Sequence, residues 1–202
     1  MPMGRLRDRH RVETRSLILE AALDLMEANG FEQTTVEDIA AAAGVSSRTF
    51  FRYFESKNAV LIEGPSDEED HGKGDEMMAA LVARPASETM SEALGAVLHD
   101  KLGQLFEAED GCKLRQLRII LAEPVLRVMA RDNFHEHRPM LAAAFAARLG
   151  VDPDALAPRV LSAAFTEAIW VILEKWAGTD GDPAELPGLI DEAFSTLNTA
   201  LT

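Results

Sequence analysis

Three features of this 202-residue chain predict an all-α fold. Apolar residues recur at spacings of three and four through most of its length. No stretch alternates apolar and polar residues long enough to read as a strand. Glycine, proline and hydroxyl residues stand where helices would begin and end. No internal repeat with a period of roughly 20–50 residues is visible. The expected organisation is a small three-helix unit with an N-terminal arm over 1–57, followed by a larger helical domain over 58–202.

Residues 1–12 (MPMGRLRDRHRV) carry Arg5, Arg7, Arg9 and Arg11 and little to bury. A basic arm is expected, which either enters a minor groove beside a groove-bound helix or stays a solvated tail. The spacing of Ile18, Ala22, Leu25 and Met26 predicts a first helix over 13–29, stopped by Gly30, with Phe31 folding back onto it. Thr34 and Thr35 offer hydroxyl caps to a second helix, with Glu37 and Asp38 each three residues downstream of one of them. The run Ala40–Ala43 favours helix. Gly44 ends it, because a helix end needs a left-handed backbone that residues with a Cβ resist. Val45 then turns back toward the core, and Ser46 is placed to cap a third helix over 47–53.

That third helix sorts its residues by face. Phe50 and Phe54, four apart, plug one side into a small core. Ser47, Arg48, Phe51 and Arg52 fall on the other, and hydroxyl, guanidinium and aromatic groups together suit base edges and phosphates. Lys57 opens another helix near Ser56, where a lysine reaches phosphate well.

Beyond it, Asn58 to Glu63 continue that helix and Gly64-Pro65 break it. The acidic, glycine-rich run SDEEDHGKG over 66–74 reads as a mobile loop. Its Asp67, Glu68, Asp70 and His71 match no calcium-loop spacing. Helices are expected over 75–83, over 87–106, over 112–122, for a turn or two over 125–130 after Pro124, over 139–149 up to Gly150, over 153–177, and over 183–201.

The net charge is −14. Residues 1–60 hold eight Lys+Arg and nine Asp+Glu, a net of −1, whereas the remainder holds twelve and twenty-five, a net of −13. The acidity therefore lies away from the unit with the outward arginines, and the local field at a contact surface governs binding rather than the total. Cys112 is the only cysteine, which rules out an intrachain disulfide and a cysteine-based metal cluster; it reads as a small core residue. No signal-peptide core and no apolar run of about 20 residues is present, so a cytoplasmic location is expected.

The run AALDLMEANGFEQTTVEDIAAAAGVSSRTFFRYFESKNAVL, reached from Ile18 and ending at Leu61, resembles the DNA-binding signature of the TetR family of bacterial transcriptional regulators. Cap, turn glycine, aromatic pair and lysine all fall at family spacing. The family often has tyrosine where this chain has Phe51; here the tyrosine comes at Tyr53, leaving open which ring meets the DNA backbone. The resemblance implies a sequence-specific regulator, a homodimeric repressor on a palindromic operator in double-stranded DNA, released by an apolar small-molecule inducer. The DNA-binding set is then Thr34, Thr35, Ser46, Ser47, Arg48, Thr49, Phe51, Arg52, Tyr53 and Lys57. Arg48 would read a base edge, most naturally guanine; Thr35, Tyr53, Lys57 and Arg52 would hold phosphates.

The resemblance also implies a dimer seam on the last two long helices, carried by Val160, Ala164, Val171, Leu186, Ile190, Ala193 and Leu197. Independently, one small helix-turn-helix unit buries little DNA, and such readers work as two-fold pairs. A ligand cavity in the middle helices is likewise implied. Candidate contacts are Met90, His99, Phe106, Gln116, Phe134, Phe145, Thr166, Glu167 and Trp170, each of which also reads as ordinary core or surface. His135-Glu136-His137 lacks a third metal ligand, so neither metal nor cofactor is expected, and no membrane partner. Two alternatives stand beside this reading: a regulator without a small-molecule ligand, controlled by a protein partner, and a small helical enzyme. The enzyme has no nucleophile–base pair, glycine loop or metal set at workable spacing to support it.

Overall fold

A computed structural model describes residues 3–63, 67–106, 111–179 and 182–200, except the side chains of 3–9, 67–74, 101–106, 183 and 200. Every regular element among the described residues is helical: α1 (Met3–Asn29), α2 (Val36–Ala42), α3 (Ser47–Tyr53), α4 (Lys57–Glu63), α5 (Asp67–Ala83), α6 (Met90–Phe106), α7 (Cys112–Ala122), α8 (Pro124–His135), α9 (Arg138–Leu149), α10 (Leu156–Ala177), a 3-10 turn Pro183–Glu185, and α11 (Leu186–Ala200). The expected all-α class, with an N-terminal helix-turn-helix and a C-terminal helical domain, is the observed one. The break expected at Gly64-Pro65 and the side chain of Phe106 lie outside the described residues.

Contacts divide the chain into two compact units: Met1–His71 with Arg115–Ala130, and Gly72–Leu114 with Arg131–Thr202. Packing thus draws its line elsewhere than the functional boundary expected after residue 57, since α4 packs on α1. In the first unit α1 lies against α2 and α4, and α2 against α3. Ile18, Leu19, Ala22, Leu23 and Met26 are buried along α1, with Phe31, Ile39, Phe50, Phe54, Val60 and Leu61. Leu23 rather than the half-buried Leu25 completes the α1 stripe. Two side chains of α7 fasten its first-unit portion. Arg115 donates to Glu27 (2.8 and 2.6 Å) and Asp24 (2.6 Å) on α1, and the Gln116 amide donates to the Leu61 carbonyl of α4.

In the second unit α10 packs on α9 and α11, and α11 on α6. A run of rings forms its centre: Phe145 on Phe165 at 5.3 Å, and Phe165 on Phe194 at 5.4 Å. Helix α10 is long and apolar enough by length and composition to cross a membrane, but it packs against its neighbours as a core helix, with Phe165, Ile169, Ile172 and Trp176 buried.

Several boundaries differ from expectation. Residues 3–12 are the opening turns of α1, not an arm. Once the packed half of α1 is nucleated, each added residue gains a hydrogen bond at little further cost, so burial is not required. Residues 67–74 are likewise helical, the start of α5, rather than loop. The acidic residues at 67–70 occupy a helix N-terminus, where unpaired N–H groups favour negative charge, and this outweighs the two glycines. Helix α6 starts after Thr89, not Ser87, because Thr89 and Glu92 cap each other: the Glu92 carboxylate accepts from Thr89 N at 2.8 Å and Thr89 Oγ1 from Glu92 N at 3.2 Å. Helix α8 runs on to His135, and α10 begins at Leu156 after a turn holding Pro153.

Candidate nucleic-acid interface

The helix-turn-helix is built by three local devices. First, Thr35 and Asp38 form a capping box: Thr35 Oγ1 accepts from Asp38 N at 3.2 Å, and the Asp38 carboxylate accepts from Thr35 N at 3.3 Å. Second, α2 ends in a doubly bonded left-handed turn. Gly44 sits at φ +69°, its N–H donates to Ala41 O (3.1 Å), and Val45 N–H donates to Ala40 O (2.9 Å). Third, Ser46 caps α3, its hydroxyl accepting from Thr49 N at 3.1 Å and lying 2.9 Å from the Thr49 hydroxyl. Residues 35–49 thus supply the caps and the turn that join α2 to α3.

Phe50 on α3 and Phe54 just after it are fully buried, with ring centroids 6.0 Å apart. The opposite side is open: Arg48 and Arg52 are exposed, Ser47 and Thr49 half-buried, and Phe51 is 54% exposed, its ring edge-on to Phe50 at 5.4 Å. An exposed phenyl between two exposed guanidinium groups is a costly surface for a helix that meets only water.

Two cations brace the unit, Arg15 at the end of α3 and Lys57 at the loop before α2, and the first of them was not expected. Arg15 on α1 is buried. Its guanidinium donates to the Tyr53 carbonyl at 2.7 Å, pairs with Glu63 at 3.1 Å and lies 4.0 Å from the centroid of the Phe54 ring. One side chain thereby ties the end of α3, its buried ring and the end of α4 to α1. The only trace in the sequence is that Arg15 stands three residues before Ile18, on the apolar stripe of α1. Lys57 was expected at a phosphate. Instead its ammonium donates to the carbonyls of Phe31 (2.7 Å), Thr34 (3.1 Å) and Glu32 (3.4 Å) and sits 4.2 Å from the Phe31 ring centroid. An ammonium has three protons, and this loop takes all of them. Thr34 is also turned inward: it is buried and its hydroxyl donates to Gly30 O at 2.9 Å. Both residues brace the loop before α2. Thr35 is exposed, but its hydroxyl is engaged with Asp38.

Tyr53 is half-buried, with Arg52 stacked over its ring at 4.9 Å and donating to its hydroxyl at 3.3 Å. Burial by itself pushes the Tyr53 hydroxyl up. Hydrogen bonds with Thr14 and Arg52 and the charges of Arg52 and Arg11 outweigh it, and the net displacement is downward. The side chains around Tyr53 thus favour negative charge.

The expected ligand residues scatter. Phe134 and Trp170 come together at 6.0 Å, and Glu167 accepts from Arg131, from Arg138 at 2.8 Å and pairs with His135 at 2.7 Å. For Glu167, burial raises its carboxyl, and hydrogen bonds with His135 and Arg131 and their charges more than reverse this. His99 instead pairs with Asp191 at 2.8 Å, tying α6 to α11, and Met90 is half-buried at the start of α6. Phe145 and Thr166 are core residues, and Gln116 belongs to the other unit, its amide bonded to main chain. Among the expected seam residues, Val160 and Val171 are each 55% exposed, and Ala164, Ala193 and Leu197 are half-buried. Leu186 and Ile190 are not available to a partner: they are buried, because their side of α11 faces its own unit. Cys112 is half-buried rather than core. His135 is on α8 and His137 in the turn after it, and no group of three or more metal-ligating side chains occurs among the described residues.

A capped helix-turn-helix with a cationic, aromatic outer face on α3, followed by a helical domain, defines a DNA-binding transcriptional regulator. Residues 18–63 match the family model for bacterial regulatory proteins of the tetR family, and residues 88–202 match the MftR C-terminal domain. The chain is 34% identical to the transcriptional regulator TcmR of Streptomyces glaucescens, over 97% of this chain and 88% of that protein. It belongs to the tetR family. Its fold is similar to that of NalD, the secondary repressor of the MexAB-OprM multidrug efflux pump in Pseudomonas aeruginosa (TM-score 0.61, 21% identity, 91% of this chain and 96% of that one). It is also similar to Thermus thermophilus FadR, a TetR-family transcriptional repressor in complex with lauroyl-CoA (TM-score 0.55, 25% identity, 91% and 92%).

Proposed function

We propose that this regulator is a homodimeric repressor that holds a two-fold operator through α3 and lets go when an apolar small molecule binds its larger domain. The observation that carries the DNA side is the division of α3: Phe50 and Phe54 fully buried, Arg48, Phe51 and Arg52 open. Arg48 reads a base edge by its paired N–H groups, with guanine the natural partner, and Ser47, Thr49 and Phe51 fill the groove around it. Thr35 and Ser46 are exposed at the starts of α2 and α3, and Arg52 and Tyr53 hold backbone. Lys57 and Thr34 act behind this surface by fixing the loop from which α2 starts.

Dimerisation is supported by the outer face of α10 and α11. On α10 Leu156 is 78% exposed and Val160 and Val171 are each 55% exposed, and an open groove of about 390 Å³ runs along Ala164, Ala168, Val171, Leu189, Ala193 and Leu197. A second copy covering this face makes a four-helix seam. Release by a ligand is supported by the likeness to FadR, solved with lauroyl-CoA, and by the Phe134–Trp170 pair. The ligand acts by binding more tightly to a form whose two α3 helices misfit the operator.

The test is to select and sequence DNA fragments with the purified protein and to weigh the complexes. Inverted half-sites one or two helical turns apart, bound by two chains, are expected. Single half-sites bound by one chain overturn the dimer, and unselected DNA overturns the reading helix.

A further inference from the structure

Beside the exposed face of α3 lies a cleft of about 460 Å³ lined by Arg11, Arg15, Arg52 and Tyr53. Among the described residues its lining holds three guanidinium groups and one phenol. Arg15 is buried and pointed at the Tyr53 carbonyl, so it cannot swing out. Arg52 belongs at once to the cleft and to the outer side of α3, one turn after Arg48. Arg11 lies on α1 one turn before Arg15 and is exposed. A helix in the major groove, which is about 12 Å wide, has a phosphate strand on each flank. A cationic cleft at the end of α3 that shares the exposed Arg52 with the helix's outward side is placed to meet one of those strands.

We propose that this cleft seats a phosphodiester of the DNA backbone, with Arg11, Arg52 and the Tyr53 hydroxyl as its ligands and Arg15 as a fixed cationic floor. The proposal rests on the reading of α3 as the groove helix and adds to it the α1 side of the grip. It gives residues 3–12 a role as helix rather than as minor-groove arm: α1 extends far enough to place Arg11 opposite Arg52. It also gives a reason for Tyr53 beside the exposed Phe51. The hydroxyl donates to an anionic oxygen, and its neighbours already favour negative charge at that point. The same chemistry would accept a free phosphate compound, so the test must separate the two.

Arg11→Gln, Arg52→Gln and Arg48→Ala are compared with the parent on the selected operator and on an unrelated duplex, across a salt series. Arg11→Gln is expected to weaken both duplexes alike, by about tenfold, and to flatten the log–log salt slope by about 0.9. Neutral methylphosphonate linkages are then placed one at a time in the operator. One position per half-site should abolish the difference between parent and Arg11→Gln. Tyr53 is the only tyrosine, so its ultraviolet titration reports the cleft directly. Arg11→Gln should move it toward the ordinary value, which also shows that the variant is folded. If Arg11→Gln matches the parent in affinity and slope while Arg48→Ala still loses sequence preference, the seat is refuted and the reading helix stands. If Arg48→Ala is also without effect, the reading of α3 fails first. If inorganic phosphate moves the Tyr53 titration at micromolar concentration and operator DNA does not compete, the cleft serves a free phosphate compound and the proposal is overturned.

Discussion

Replacing Arg15 tests whether one buried cation sets the pose of the reading helix. Arg15→Met keeps most of the side-chain volume and removes the guanidinium's interactions, among them those with Tyr53, Phe54 and Glu63. The bond to the Tyr53 carbonyl at 2.7 Å is charge-assisted and buried, worth about 1.5–3 kcal/mol. The guanidinium on the Phe54 ring at 4.0 Å adds about 1 kcal/mol in a partly desolvated site. The pair with Glu63 is discounted, because the Glu63 side chain is 41% exposed and water replaces Arg15 there; about 0–1 kcal/mol remains. The desolvation that burial imposes on the guanidinium is relieved by the change, which trims the total to about 3 kcal/mol. Urea denaturation followed by circular dichroism measures it, and a fall of that size is a large share of the stability of a small domain. Arg15→Lys should recover less than half, since an ammonium cannot bond the carbonyl and the carboxylate in the same fork. Operator affinity should drop in both variants under conditions where both are folded, because the end of α3 is no longer tied to α1. An Arg15→Met protein within about 0.5 kcal/mol of the parent, with unchanged operator affinity, would refute the reasoning.

Four further outcomes are expected. Lys57→Ala should lower stability by about 1–3 kcal/mol through the three carbonyls it leaves behind, and its loss of DNA affinity should track unfolding of the loop rather than a flatter salt slope; a normal melt with a flatter slope would return Lys57 to the DNA. Gly44→Ala should cost about 1–2 kcal/mol of backbone strain alone, since a Cβ there meets nothing within 4 Å at φ +69°, and Gly44→Asn should melt above it. Glu167 has its folded carboxyl displaced downward, so its contribution is full above the unfolded value and is lost as pH falls through the folded one; the parent should lose stability on acidification below about pH 4.3 more steeply than Glu167→Gln, read by urea midpoints. Val171→Asp should shift the protein to monomer in sedimentation and reduce operator binding, whereas an unchanged mass would remove the α10–α11 seam.

Much of this protein is local chemistry and was legible from order along the chain. The capping box of Thr35 and Asp38, the stop at Gly44, the cap at Ser46 and the division of α3 each involve residues within about one helical turn, where spacing alone dictates which groups meet. The same holds for the all-α class and for α7, whose apolar period carries its own boundaries. Residues 3–12 and 67–74 were read as chain without structure because they bury little. Helix formation needs backbone hydrogen bonds rather than an apolar face, so a pattern of burial could not find it. What only the tertiary structure decided was the use of each cation and each face. Lys57 could have pointed at a phosphate, but Phe31, Glu32 and Thr34 bring three carbonyls to it from about 25 residues away. Arg15 meets Tyr53 and Glu63 across 38 and 48 residues, and Leu186 and Ile190 turned to their own core while Val160 and Val171 stayed open. A charged or apolar side chain states what it can bind, but which partner it finds depends on distances that exist only after the helices have packed.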